Sequence, residues 1–434
     1  MRRIAVIGSG ISGLAAAHSL AGEAAVTLFE AERWFGGHAH TVDLRLEGIR
    51  HGVDTGFLVF NERTYPQLIA LFERLGVASA ASEMSFSVQA PQAGWEWCGN
   101  DLNGVFAQRS NLVSPRFWRM LADLLRFNRL TTAMARRNGS AELDEPIGVF
   151  LDRYHFGRAF REGYFLPMIG CIWSCPTAQM LQFPLATMLR FCHNHGLLQL
   201  SGRPQWRTVR GGSRHYVEKM LAPIADTRLA TPVRSVRRQP PGDGTAGAIV
   251  ATDNGSERFD DVVLACHSDQ ALALLDDADA DEREVLGAIR YQRNRAVLHT
   301  DSAVLPQRSR AWAAWNYERA AAAHREEAGV CLHYLLNRLQ PLPWKRPVIV
   351  SLNPLRPIRP DALLGEWDYA HPVFDRAAVQ AQARVSLLQG RSRVWFCGAW
   401  TRYGFHEDGL ISGLAVAEGL RARRAVQASA GVAA

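Results

Sequence analysis

Three short stretches carry residues whose types and spacing could do chemistry. Gly8-Ser9-Gly10-Ile11-Ser12-Gly13 sets three glycines at the spacing G-x-G-x-x-G. In that pattern the first glycine permits a tight turn, the second lets backbone approach a pyrophosphate, and the third lets a helix meet a strand. Glu30 stands seventeen residues beyond Gly13, placed to accept hydrogen bonds from ribose hydroxyls. Ala31 continues from it to Gly36-Gly37-His38, a second glycine pair with an imidazole able to donate to a phosphate oxygen. Near the other end, His406 and Glu407 precede Asp408. A histidine titrating near neutral pH beside a carboxylate suits binding or proton transfer, and both are candidate catalytic residues. The alternative is that they cap the final helix or touch a ligand without moving a proton.

These residues need elements to hold them. Ile4-Ala5-Val6-Ile7 is a short apolar run bounded by glycine, the pattern of a parallel strand buried on both faces. Residues 14–20 read as a helix, with Ala15, Ala16 and Ala17 allowing close packing, and residues 25–29 as a second β-rich run ending at Glu30. Strand, glycine loop, helix, strand and acid in this order predict a dinucleotide site; the bare glycine spacing would not. Its phosphates are expected on the helix N-terminus, where unpaired N–H groups and the dipole favour anions.

An acid ending the second strand, followed by Gly36-Gly37, resembles the flavin-dependent amine oxidase superfamily. That group includes monoamine and polyamine oxidases, protoporphyrinogen oxidase and the phytoene desaturases. Members often carry Gly-Gly-Arg where this chain has Gly-Gly-His. Three distant segments resemble the same superfamily and extend the likeness along the whole chain. Val53-Asp54-Thr55-Gly56-Phe57 is similar to the segment beside the isoalloxazine ring, which implies cofactor contacts at Thr55, Gly56 and Phe57. Arg210-Gly211-Gly212-Ser213 precedes an expected helix at 216–221 and a strand containing Val233, whose counterpart in relatives meets the adenine through its backbone. Residues 260–266 read as another strand of that sheet, ending at Ala265 and Cys266. Last, residues 394–400 run as a strand into Gly398, and residues 404–413, with Asp408, Gly409 and Leu410, start the final helix. The resemblance places that helix N-terminus at the ribityl and pyrimidine end of FAD, where its dipole would stabilise negative charge on reduced flavin.

The implied fold is α/β, a Rossmann-like FAD-binding domain with an inserted α+β substrate domain, as in amine oxidases and phytoene desaturases. The expected FAD-binding domain is discontinuous, 1–80, 205–270 and 390–434, with the substrate domain in 81–204 and 271–389. Within the first insertion, Ser114 and Pro115 mark a helix start. Trp118, Leu121 and Leu125 recur at helical spacing, with Arg116, Arg119, Arg126 and Arg129 interleaved. Such a helix fits a membrane surface or an ordinary substrate-domain helix with a solvated basic face. The second insertion holds β-like runs at 295–300 and 348–352, expected to form an antiparallel sheet floor. Residues 239–244 read as a hairpin-like loop, and the tail from Arg421 as frayed. Trp312, Trp315, Tyr317 and Tyr334 fit core packing, or an apolar pocket or aromatic cage.

Narrower likenesses bear on function. NERTYP at 61–66, ACHSDQ at 265–270 and GFHEDG at 404–409 resemble a bacterial group of NAD/FAD-binding proteins similar to the N-terminal region of plant cyclopropane fatty acid synthases. By association this implies a lipid role, with a lipid methyltransferase as partner. The leading expectation is an FAD-dependent oxidoreductase that desaturates or oxidises a hydrophobic substrate, such as a fatty-acyl chain, by hydride transfer to flavin N5. Many amine oxidases hold a water beside N5 with a lysine. This chain has only Lys219 and Lys345, and the corresponding region, 290–299, has arginines and His299. An amine oxidase stays as one alternative, and a non-catalytic flavin-binding accessory to a fatty-acid-modifying methyltransferase as another.

Bulk composition fits this reading. The 434 residues are 47% hydrophobic and 21% charged, with a formal charge of +7, which favours acidic partners or an anionic membrane surface. The arginines are scattered and form no nucleic-acid-binding module. Seven dispersed cysteines fit a reducing, cytoplasmic setting, and Cys171 with Cys175 lacks the second pair that a zinc site needs. His193-Asn194-His195 reads as solvated polar residues and not as a metal site. No stretch approaches the ~18 apolar residues of a membrane span, so a cytoplasmic protein, peripheral to a membrane at most, is expected.

Overall fold

The computed structural model describes residues 1–136, 145–197, 202–239, 246–321 and 329–432; most of the expected hairpin loop, 240–244, lies outside them. Five strands, β1 (Arg3–Ile7), β2 (Ala25–Phe29), β3 (Asp226–Arg228), β4 (Asp261–Leu264) and β5 (Val394–Phe396), make one sheet in the order β3-β2-β1-β4-β5. Every pairing in it is parallel. The apolar runs are explained by what covers them. Ile4 and Val6 face one core with helix α1 (Ile11–Leu20) and helix α3 (His406–Val432). Ala5 and Ile7 face a second core under a three-stranded antiparallel sheet, Val233–Gln239, Gly247–Thr252 and Gly255–Phe259. Alternate side chains of one strand thus serve two layers. The chain order reverses beside β1, which opens a crevice at the carboxyl ends of β1 and β2.

A seven-stranded sheet forms the second layer. Its spatial order is Leu363–Val373, Arg290–His299, Ile349–Leu352, Cys331–Leu335, Trp315–Glu318, Phe86–Ala90 and Trp95–Cys98. The expected antiparallel floor is present, and residues 86–98 add two strands to it, the first running parallel to Trp315–Glu318. A buried relay crosses this sheet on the side away from the crevice. The Asp301 N–H donates to His299 Nδ1, so the neutral ring carries its proton on Nε2, 2.7 Å from Ser351 Oγ. Ser351 is then free to donate to His333 Nδ1 at 2.7 Å, and His333 Nε2–H to reach Glu318 at 3.1 Å. His299 is therefore a sheet residue, not a crevice residue.

Helix α2 (Pro115–Arg136) leads a helical layer whose core is rich in phenylalanine, including Phe127, Phe150, Phe160 and Phe165. Ser114 Oγ accepts the Phe117 N–H at 3.3 Å, the cap expected of it. Residues Arg161–Phe165 form a π-turn, a distortion that re-aims the side chains after it. The expected helix at 216–221 begins earlier, at Arg214, with Ser213 turned to Asp54 instead of capping it. The tail is not frayed at Arg421: α3 continues to Val432, and Arg421 binds Glu23 and the Ser19 carbonyl while Arg423 reaches the Gly390 carbonyl. Among the described residues no helix is long and apolar enough to cross a membrane.

Candidate functional site

A cavity of about 1570 Å³ opens at the carboxyl ends of β1 and β2 and runs under the seven-stranded sheet into the helical layer. The glycine loop forms its first wall. Gly8 has φ +101°, and a Cβ there would lie 2.8 Å from the Ala265 carbonyl; a Cβ on Gly13 would lie 1.9 Å from the Gly8 carbonyl. Both glycines are demanded by the protein's own backbone. Gly10 differs, because nothing lies within 4 Å of where its Cβ would be. That space is cavity, and α1 starts at it with no side-chain cap, so its first N–H groups are left for an anion. Glu30 holds the loop: its Oε2 accepts from Ser9 N at 2.9 Å and Ser9 Oγ at 2.5 Å, and its Oε1 accepts from Glu32 N. Ala31, Ile11, Ser12, Val233, Ala265, Cys266 and Gly398 also line the wall. Cys266 is no thiolate, since burial pushes its pKa up to about 12.

Gly36 and Gly37, both at positive φ, bring the next turn against the loop, with a Gly37 Cβ only 3.2 Å from Gly10 Cα. His38 is half-buried, and its Nε2, shut off from solvent, has no hydrogen-bond partner. It lies 5.0 Å from the Tyr369 ring and 5.3 Å from His371. Burial holds His38 near pKa 4 and His371 near 3, each disfavoured further by a neighbouring imidazole. Gly56 and Phe57 line the cavity, whereas Thr55 does not: its hydroxyl is engaged with Tyr369 and His40 behind the wall.

The two catalytic candidates part company. His406 lines the cavity, stacked 3.6 Å from the Phe57 ring, with Nε2 2.9 Å from the Tyr216 hydroxyl. Burial lowers its pKa to about 3, so it is a neutral ring and a weak base. Glu407 points away and accepts from Gln67 N and Leu68 N at 2.8 and 2.9 Å, capping helix Pro66–Leu75. Asp408, its pKa raised by burial to about 6, accepts the Phe405 N–H. Gly409 permits the approach of Ile11, and Leu410 is core. Like Gly13, these three support the wall without lining it.

The far part of the cavity is apolar, walled by Leu121, Leu124, Leu125, Met168, Ile172 and Trp173. Asn128 Oδ1, Trp173 Nε1 and Trp315 Nε1 are buried there without hydrogen-bond partners. Trp315 and Tyr334 meet edge to face at 5.0 Å, while Trp312, held by the Pro306 carbonyl, and Tyr317 stand outside, so the four make no cage. His195, expected to be solvated, is buried against Phe191 at 3.9 Å because that helix turns its ring inward. Tyr291 and Arg293 are what strand Arg290–His299 turns toward the cavity; Lys219 caps the Leu75 and Gly76 carbonyls elsewhere. Glu318, Cys331 and His333 have potential ligand atoms within 4.8 Å of one another, but they belong to the sheet relay, with Arg356 also on Glu318. Sequence reasoning missed Asn128, Trp173, Tyr369 and His371; only their aromatic and amide types were visible, since partners up to 329 residues away bring them in.

A parallel sheet in this order, with a glycine-cradled helix N-terminus feeding one large cavity, defines an α/β dinucleotide-binding fold. Residues 11–302 match the family described as flavin containing amine oxidoreductase, and the chain belongs to that family. The carotenoid phi-ring synthase of Streptomyces griseus is 28% identical over 291 residues, covering 61% of this chain and 52% of its own. The chain thus spans about half the length of that curated relative. The fold is shared with the CLA-producing fatty acid isomerase from P. acnes (16% identity, TM-score 0.64, 96% of this chain and 97% of that one). It is shared as well with cyclohexylamine oxidase from Brevibacterium oxydans IH-35A (16%, TM-score 0.66, 97% and 99%).

Proposed function

We propose that this chain oxidises an elongated apolar substrate, a fatty-acyl chain, on FAD held along the first wall of the cavity. The observation that carries the reading is that one cavity joins the glycine loop to an apolar chamber without interruption. Its volume exceeds the ~300–1,000 Å³ of a pocket for one small ligand, which fits a cofactor and a substrate together. The residues present fit the cofactor. Gly10 leaves the space a pyrophosphate needs, the start of α1 offers its N–H groups, and His38 Nε2 has no hydrogen-bond partner of its own. Glu30 would receive the adenosine ribose, and Val233 with Ala31 would flank the adenine. Bound FAD supplies two-electron acceptance.

The chain's own residues do the rest. Leu121, Leu124 and Met168 exclude water and align an acyl chain, while the Trp173 and Trp315 N–H groups and Asn128 are placed to meet a polar head. His406 stays neutral and is a contact surface, not a titrating base. The acids lining the cavity are Glu30, Glu32, Asp269 and Asp368; none comes from the helices that wall the chamber, so a substrate ammonium would lack a counter-charge there. This disfavours the amine oxidase reading. The fatty acid named for one structural relative and the resemblance to a lipid-modifying group point the same way.

The test is anaerobic mixing of purified flavin-loaded protein with acyl lipids and with amines, followed by absorbance. Bleaching by an acyl lipid, with products showing two hydrogens lost, supports the reading. Bleaching by amines alone establishes the amine oxidase. Flavin that no substrate bleaches, in a protein that holds a lipid methyltransferase stably, leaves the accessory role.

A further inference from the structure

The large apolar side chains left exposed are not spread evenly. Leu102, Leu112, Val113, Trp118 and Leu125 all fall between residues 102 and 125, and Leu102 and Val113 are 78% and 83% exposed. Burial of apolar surface is the main driving force of folding, so such a concentration within one short stretch asks for a covering partner. The patch is one built surface: Trp118 Nε1 donates to the Leu112 carbonyl at 2.8 Å, tying helix α2 to the loop before it. It also surrounds the entrance to the chamber, because Leu102, Trp118 and Leu125 line the cavity while half or more of each side chain is in solvent.

Charge identifies the partner. Arg109, Arg116, Arg119, Arg126 and Arg129 are exposed on the same loop and helix, against the single acid Asp123. Asp123 is engaged by Arg126 and by the Gly157 N–H. On the neighbouring elements Arg158 pairs with Glu162, and Arg116, Arg119, Arg158 and Arg319 share a small cavity with that glutamate. Along α2 the stripe of Leu121, Leu125 and Trp118 is followed by Arg129, Arg126 and Arg119 at 100° per residue. An apolar stripe with arginines beside it lies flat in a lipid interface, the rings and aliphatic groups below and the guanidinium groups at the phosphates. A second copy of this chain would set arginines against arginines, which is repulsive.

We propose that loop 102–113 and the outer face of α2 dock this protein on an anionic lipid surface, with the chamber mouth turned to the bilayer. The docking goes beyond the reading of the substrate and stands without it. It is tested by co-sedimentation of flavin-loaded full chain with vesicles of phosphatidylcholine, with or without a third of phosphatidylglycerol. The chain is expected to sediment with the anionic vesicles and to be released by high salt. Leu112→Ser with Val113→Asp, and separately Arg116→Glu with Arg119→Glu, are each expected to weaken partitioning about ten-fold or more. Unchanged flavin absorbance and circular dichroism would show that both variants fold. Wild-type protein that leaves both vesicle types in the supernatant overturns the proposal, as does equal partitioning onto neutral vesicles. Variants that partition like the wild type overturn it too. A dimer in light scattering that Val113→Asp abolishes would assign the face to self-association instead.

Discussion

Glycines that look alike in the loop answer to different forces. Gly13 is required by the fold, since its Cβ would overlap the Gly8 carbonyl, whereas Gly10 faces open cavity. Gly13→Ala is therefore expected to yield insoluble or strongly destabilised protein. Gly10→Ala should cost apoprotein about 1 kcal/mol or less and yet weaken FAD retention about ten-fold or more. Flavin content after purification and thermal unfolding of the apoprotein measure the two. The histidines make a second residue-level prediction. Burial holds His38, His40, His195, His267 and His299 near pKa 4, and His371 and His406 near 3. The unfolded chain binds protons near pH 6.5 that the folded chain refuses. Their contribution is thus complete above that pH and lost as pH falls toward 4 and 3. Asp408, raised to about 6, acts with the opposite sign and offsets one of them. The urea midpoint of the apoprotein should fall steeply from pH 6.5 to 4; a level midpoint over that range would refute the assignment.

Strands and helices carry polar networks that resemble catalytic groups but hold elements together. The relay Glu318–His333–Ser351–His299 stitches four strands of the large sheet. Ser351→Ala leaves one nitrogen on each ring unpaired, and a loss of about 2 kcal/mol or more is expected in chemical denaturation with the flavin spectrum unchanged. Glu407 caps the helix at Pro66–Leu75. Glu407→Ala is expected to cost about 1 kcal/mol of stability and to change the rate of flavin reduction by about two-fold at most. Lost reduction at unchanged stability would return Glu407 to the chemistry.

At the largest scale the five-stranded and seven-stranded sheets and a helical layer enclose the large cavity, whose ends have different character, polar at the glycine loop and apolar under α2. Filling the apolar end should separate the two. Leu124→Trp is expected to keep FAD and to raise KM for long acyl substrates about ten-fold or more, while short ones are less affected. Equal loss for short and long substrates would mean that the chain does not extend past α2.

The β1-loop-α1-β2 unit was legible in the chain because its signals are local. A buried strand, a turn that needs glycine, a helix start and a terminal acid all lie within thirty residues, and backbone sterics and helix-end hydrogen bonding act at that range. The Ser114 cap and the apolar stripe of α2 were readable for the same reason. The roles of Glu407, Thr55, His195 and His299 were not, because an imidazole, hydroxyl or carboxylate offers the same atoms to a helix end, a neighbouring strand or a ligand. Which partner it takes depends on side chains hundreds of positions away. Nor could spacing tell that Asn128, Trp173 and Trp315 would be buried without hydrogen-bond partners around one chamber. That follows from how the helical layer closes over the sheet, where burial removes water and leaves those groups to a ligand.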